Sequence, residues 1–435
     1  MLYLGIAFSS ILLVIGWGEL IWGISSFAIL VFLAISSVKF NLAHPIAWFS
    51  ISMLIYSLSA PILMALGVYP YINWGGWDMS NVDFFFPVFM SYIALISFLV
   101  FAKSPVINFK PLLSRGVFPF AVVKKIFTPI IIIICVVASI ELYTSGIVSK
   151  KEFISEGLFF FKLSFVYYML IVLFSIDVFK KIKHDQSFKN IIFFGFFIFT
   201  ILIIVSGQRN MLLRFAIVIF FLYITLIKPV GFWKLLAIVI AVLSFNAFSQ
   251  FLKPGVLFDT NVFATNIFIS FLSGEFMTAS NNLVMIYENF HLLESYSGMH
   301  NFIFDIIRGF IPAILFGKEV ITGSSLLYNS IFFPNVLESG GGVGYSLVGS
   351  GFFYFQYTGI VFLFSALGYL LKTLYTRAGS TVNSFIIYIN IIPIIVFSLR
   401  FDVGMIVSQT VKNILLLLVF IHLFNYLLKQ GKNES

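Results

Sequence analysis

About twelve apolar stretches follow one another along this chain, most of them near the roughly 20 residues that cross about 30 Å of hydrocarbon as a helix. They fall near residues 3–17, 20–38, 45–67, 84–102, 126–145, 158–178, 190–206, 210–227, 231–251, 351–371, 381–398 and 403–428. In hydrocarbon every backbone amide and carbonyl must be paired within the protein, and stretches of this length satisfy that condition as helices. The predicted fold class is an all-α polytopic membrane protein, organised as one integral membrane domain. Its parts are spans 1–9 (residues 1–251), a large loop (252–350) and spans 10–12 with a tail (351–435). Composition agrees: 60% apolar residues, 10% charged residues and a mean hydropathy of +1.07 exclude a soluble globule.

Charge placement then orients the spans, because cytoplasmic loops carry an excess of Lys and Arg. Lys39, Lys103, Lys110, Arg115, Lys124, Lys125, Lys180, Lys181, Lys183, Lys189, Lys228, Lys234, Lys372, Arg377, Lys429 and Lys432 all fall on one side of the alternation. That side is expected to be the cytoplasm, with both termini on it. The net charge of +9 is thus mostly a rim facing anionic lipid headgroups and points to a bilayer, not to nucleic acid. The first apolar stretch runs through a Trp17-Gly18-Glu19 turn into a second span and reads as a retained helix, not a cleaved signal. The lone Cys135 lies inside a span and has no partner for an intrachain disulfide.

Basic residues left over by this rule are the informative ones. Arg209, Lys253, Arg308, Lys318 and Arg400 fall at or beyond the opposite face, where an anionic ligand would give them a role. The same side carries the one long connection, about 100 residues from Phe251 to Gly351. Within it 262–273, 283–293 and 302–316 are apolar enough to lie in the interface or dip into the membrane, with Asp259 or Thr260 as a cap for the first and Pro312 ending or kinking the third. The loop ends in a glycine-dense run over 340–351 that includes Gly341, Gly344 and Tyr345. It is either a hinge at the head of the next helix or a place where backbone approaches a ligand closely.

Four constellations could carry chemistry. Ser206-Gly207-Gln208-Arg209-Asn210 is a tight turn whose arginine must snorkel, pair with an acid or face water. Arg214, deeper in the membrane, either pairs with an acid such as Glu141 or lines a cavity. Ser398-Leu399-Arg400-Phe401-Asp402 is a second turn, with Arg400 and Asp402 either an interfacial ion pair or part of a site. Asp402, Ile406, Gln409 and Asn413 follow helical spacing, with Lys412 near that face, and such a polar stripe in hydrocarbon predicts a cavity. Asp305 and Arg308, three apart, can pair on a helix, with Lys318 and Glu319 beyond them. The fourth is the acid and base inventory Glu275, Glu288, His291, Glu294, His300 and Glu338. No metal-ligand spacing, nucleophile elbow or Walker loop occurs, so neither a metal nor another cofactor is expected. No internal repeat of the secondary-transporter kind is visible.

Taken together, the spans, the Gly207-Gln208-Arg209 turn, the single large loop, the glycine run and the Arg400-Phe401-Asp402 turn make the chain resemble the O-antigen polymerases, the Wzy-type oligosaccharide repeat unit polymerases. Many relatives carry a Glu shortly after the glycine run; this chain has Ser350-Gly351-Phe352-Phe353-Tyr354. The resemblance implies a metal-independent, GT-C-like glycosyltransferase of the bacterial inner membrane with its site facing the periplasm. Its substrates would be undecaprenyl-diphosphate-linked oligosaccharides, and a chain-length regulator is an implied partner. Arg209, Arg308, Lys318 and Arg400 would hold diphosphate, while His300 and Glu275 are the candidates for a base. O-antigen ligase and lipid-linked oligosaccharide flippase are the alternative functions, the large loop arguing against the flippase.

Overall fold

The structure, a computed structural model, describes residues 2–69, 73–74, 77–79, 82–114, 165–206, 210–228, 275–310, 323–338 and 342–415, with isolated helical positions at 129, 132–133, 136–137, 140, 272 and 419. Apart from a two-residue antiparallel pairing of β1 (Asn73–Trp74) with β2 (Trp77–Asp78), the described elements are helical. Leu20–Ser37, Pro45–Ala65, Phe85–Ala102 and Leu347–Ala378 are long and apolar enough to cross a membrane, and shorter apolar helices accompany them. This is a multi-pass α-helical membrane protein. The expected spans at 126–145 and 231–251 lie almost wholly outside the described residues.

The chain divides into two compact units that interleave along the sequence. The first comprises Met1–Val106, Val230–Thr373 and Val396–Ile406. Here α1 (Leu2–Ile15), α2 (Leu20–Ser37), α3 (Pro45–Ala65) and α4 (Phe85–Ala102) pack in sequence order. Pro45 at the first turn and His44 at the N-cap start α3, the ring Nδ1 accepting from the Ile46 amide at 3.2 Å. Pro61 lies inside α3, and the neighbouring Ala60 amide donates to Ser280 Oγ at 3.1 Å.

That serine belongs to α5 (Glu275–Glu288), which packs along α3 with Met277 and 279–286 buried. The apolar run expected at 283–293 as an interfacial segment is therefore, over Leu283–Ile286, the buried core of this unit. Its polar triplet explains the difference, since each member bonds a different part of the fold: Ser280 to α3, Asn281 to the Tyr69 hydroxyl at 3.0 Å, and Asn282 to the glycine run. The unit continues with α6 (Met299–Phe310), α7 (Ser324–Phe332) and α8 (Leu347–Ala378).

Helix α8 is not continuous. Phe355 and Gln356 leave helical geometry, Gln356 with φ 52° and ψ −137°. Residues eight apart in a straight helix are about 12 Å apart, yet a Cβ on Gly359 would stand 2.1 Å from the Gly351 carbonyl oxygen. The chain therefore turns sharply back, and a short arm (347–354) folds against a long one (357–378). The expected tenth span at 351–371 is corrected accordingly: the glycine run leads into the short arm, and the long apolar arm starts after the turn. Two glycines, one on each arm, permit this crossing because neither has a side chain to separate the backbones.

The second unit comprises Ile107–Pro229, Leu374–Ile395 and Val407–Ser435. It holds Phe165–Lys183, Lys189–Ser206, Asn210–Leu226 and, of the helix Val382–Ser398, the part up to Ile395. The last described helix, Val403–Thr410, enters this unit at Val407 and passes into a π-helical turn at Val411–Leu415. Arg214 is buried at 2% exposure beside a small cavity lined by Ile171, Val172, Asn390, Pro393, Ile394 and Ile414. Glu141, its expected partner, lies outside the described residues.

Candidate functional site

Three constellations far apart in sequence meet in the first unit: the glycine run, the 398–402 turn and the Asp305–Arg308 pair. Gly344, at φ +86°, turns the run so that the next amides reach the 398–402 turn. Tyr345 N donates to Arg400 O at 2.8 Å, and Leu347 N donates to Leu399 O at 3.0 Å. A side chain on Gly344 would meet Arg400 O and Thr278 at 3.4 Å, so the approach is close as well as left-handed.

Asparagines fasten the other edge of the run. Val343 N donates to Asn329 Oδ1 at 2.8 Å, and Asn329 Nδ2 donates to Gly344 O at 3.2 Å. Asn282 Nδ2 donates to Val343 O at 3.3 Å while its Oδ1 accepts from the Tyr328 hydroxyl at 2.9 Å. Tyr328 in turn packs edge-on against Tyr345, ring centres 5.2 Å apart, and both rings are buried. Burial raises both phenols well above their ordinary range, which keeps them protonated donors.

Below this clasp Arg308 on α6 donates through Nη2 to Asp402 Oδ2 at 2.8 Å and lies 3.4 Å from Asp305 Oδ1. Asp305 also accepts from Ser324 Oγ at 2.6 Å, from the Ser324 amide and from the Tyr354 hydroxyl on the short arm of α8. Asp402 caps the last helix, accepting from Met405 N at 2.8 Å, and takes the Ser325 amide at 3.3 Å. The guanidinium is flanked by two glycines. A Cβ on Gly323 would stand 2.0 Å from Arg308 Cζ, and one on Gly404 would stand 2.9 Å from Nη2 and 2.6 Å from Asp305 O.

Two carboxylates, 1% and 2% exposed, thus share one cation. Burial, followed by the neighbouring Asp402, raises the Asp305 carboxyl against the hydrogen bonds and Arg308 that lower it. Burial alone would lower the Arg308 guanidinium, but Asp402 and Asp305 outweigh it and hold it charged. This geometry corrects two expectations. Asp402 pairs with Arg308, not with Arg400, because Asp402 turns inward to cap the helix while the Arg400 guanidinium lies 5.0 Å over the Phe401 ring. Arg308, expected as a diphosphate ligand, has its charge met by two acids and acts as a clamp between α6 and the 398–402 turn.

The other expected site residues are placed as follows. Arg400 is half-buried, and His300 is exposed on the first turn of α6. Glu275 opens α5. In the second unit Gln409 has its Oε1 buried, and Lys412 and Asn413 lie in the π-helical turn. Arg209, Lys318 and Gly341 lie outside the described residues. Among the described residues no three His, Cys, Asp or Glu side chains gather as a metal ion would need.

Sequence reasoning missed Asn282, Ser324, Tyr328, Asn329 and Tyr354. The signal was available in one case: Ser280-Asn281-Asn282 is a polar triplet inside an apolar run. No acid stands shortly after the glycine run in sequence, yet in space Asp305 stands against Tyr354 of the arm that the run leads into. Comparison with known protein families, curated proteins and solved structures finds no match for the chain.

Proposed function

We propose that the chain is an oligosaccharide repeat unit polymerase of the O-antigen type, a GT-C-like enzyme of about twelve spans in the bacterial inner membrane. One observation carries this reading: the glycine run and the Arg-x-Asp turn, two of the motifs behind the resemblance, are joined by the Tyr345–Arg400 and Leu347–Leu399 backbone bonds. Under this reading both termini are cytoplasmic and the joined motifs face the periplasm.

The reaction moves a growing chain from one undecaprenyl diphosphate to a newly delivered lipid-linked unit. The bond between the donor sugar's anomeric carbon and the diphosphate oxygen breaks, an acceptor hydroxyl oxygen bonds to that carbon, and its proton passes to a base. Undecaprenyl diphosphate departs with the electron pair. Negative charge therefore grows on the leaving group, and a fixed cation beside it lowers the barrier. Arginine suits this task because it stays charged and binds phosphate oxygens bidentately. Arg400 takes this role, with Arg209 and Lys318 from the same face of the charge pattern. Arg308 positions the Arg400 turn through Asp402.

The test is the lipopolysaccharide profile of a strain lacking the gene. Core bearing a single repeat unit supports the polymerase. Core alone, with polymerised chains left on the lipid carrier, would assign the ligase instead, and single units trapped in the cytoplasm would assign the flippase.

A further inference from the structure

Six aromatic rings from three helices of the first unit and from the turn between α1 and α2 close into a circle. Trp17 meets Phe86 (centres 6.5 Å apart), Phe86 stacks on Tyr287 (5.4 Å), Tyr287 contacts Phe352 (6.0 Å), Phe352 contacts Tyr357 (5.5 Å), Tyr357 contacts Phe89 (6.2 Å), and Phe89 returns to Trp17 (4.9 Å). Trp17 is 54% exposed, and Phe86, Phe89, Tyr287 and Tyr357 are partly so. The phenol groups of Tyr287 and Tyr357 interact. Membrane-interface aromatics commonly anchor a helix to headgroups, but such rings have no need of carboxylates among them.

This circle has two. Glu288 follows Tyr287 directly and is solvent-exposed, as is Asp83, whose charge acts on it. Asp83 has a structural task, accepting from Phe85 N at 2.7 Å at the head of α4. Glu288 has none in the fold. It sits on the last residue of α5, where the helix dipole is unfavourable to an anion, and among the described residues no cation pairs with it. Partial burial and Asp83 both raise its carboxyl above the ordinary range. A locally unfavourable acid beside open rings is expected where function, not stability, keeps it there.

Rings with apolar faces next to carboxylates that accept hydrogen bonds match one ligand chemistry, a sugar ring with C–H groups on its face and hydroxyls at its edge. We infer that this circle, with Glu288 and Asp83 beside it, is a sugar-binding subsite that takes the terminal sugar of the acceptor oligosaccharide, Glu288 accepting a hydroxyl. The word acceptor rests on the polymerase reading; the sugar site does not. Phe352 and Tyr354 place the subsite next to the glycine clasp, because they lie two residues apart on the short arm of α8, one in the circle and the other bonded to Asp305.

The experiment titrates full-length protein in nanodiscs with the strain's own repeat-unit oligosaccharide, released from its lipid by mild acid. Wild type should bind it, and Trp17→Ala and Glu288→Gln should each weaken binding about ten-fold or more, as loss of a stacking surface or a charged hydrogen bond would. Glu288→Gln is isosteric and solvent-exposed, so it separates recognition from folding. Absence of wild-type binding, or unchanged affinity in both variants, overturns the subsite. If binding falls as expected but the gene's deletion leaves the lipopolysaccharide ladder intact, the subsite stands and the polymerase reading fails. If deletion abolishes the ladder while both variants bind normally, the polymerase reading stands and the subsite fails.

Discussion

Arg308 occupies a slot that only a flat, charged group fits, with Gly323 and Gly404 on its flanks and two buried carboxylates to neutralise it. Removing one partner of such a cluster leaves buried charge uncompensated. Arg308→Ala should therefore cost about 3 kcal/mol or more and deplete the folded protein in membranes. Gly404→Ala should do likewise by pushing a methyl group into the Asp305 carbonyl. Arg400→Ala, by contrast, should cost less, since the carbonyl that accepts from Tyr345 N is supplied by any residue. Thermal unfolding in detergent measures all three; equal losses for Arg308→Ala and Arg400→Ala would contradict the division into clamp and ligand. A second residue-scale effect concerns His44, which is fully buried between the Ile46 amide and the Ser104 carbonyl. Burial lowers it from 6.5 to about 4, so the folded chain excludes a proton that the unfolded chain binds. Its contribution is present above pH 6.5 and is lost as pH falls toward 4, roughly 3 kcal/mol in all. His44→Asn keeps an N-cap acceptor and should flatten that part of the pH–stability curve.

Helix boundaries show what hydropathy can and cannot see. The expected spans at 20–38, 45–67, 84–102 and 381–398 match Leu20–Ser37, Pro45–Ala65, Phe85–Ala102 and Val382–Ser398 closely, because a long apolar run in lipid has few alternatives to a helix. The break in α8 was hidden because a single glutamine, Gln356, does not end an apolar run of this length. The glycines that permit it, Gly351 and Gly359, are eight residues apart and meet only once the chain has turned. The Arg308–Asp402 pairing was equally out of reach, since its partners are 94 residues apart and the nearer choice, Arg400, is two residues away. What the sequence did make legible was the set of motifs; their convergence needed the structure. Gln356 holds a left-handed conformation that non-glycine residues adopt only under strain. Gln356→Gly should therefore stabilise the protein by about 1 kcal/mol, whereas Gly359→Ala should destabilise it by forcing the two arms apart. Melting temperatures of the two variants should move in opposite directions; a shift of both the same way would contradict the sharp turn.

At the scale of the whole molecule, the proposed orientation rests on sixteen basic residues that the expected span pattern puts on one side. In a Cys135→Ser background, Lys318→Cys should react with a membrane-impermeant thiol reagent in intact spheroplasts and Lys183→Cys should not. The reverse pattern would invert the topology and move the glycine clasp to the cytoplasm. The central claim, that the protein joins lipid-linked repeat units, is tested most directly by reconstitution. Purified protein in nanodiscs is incubated with the strain's undecaprenyl-diphosphate-linked repeat units in the presence of EDTA, and the products are resolved on a gel. The account predicts a ladder of lengthening chains with release of undecaprenyl diphosphate, slowed about 100- to 1,000-fold by Arg400→Ala as a preorganised charge at the leaving group is lost. Repeat units that remain single with wild-type protein, or a full ladder at unchanged rate with Arg400→Ala, would contradict it.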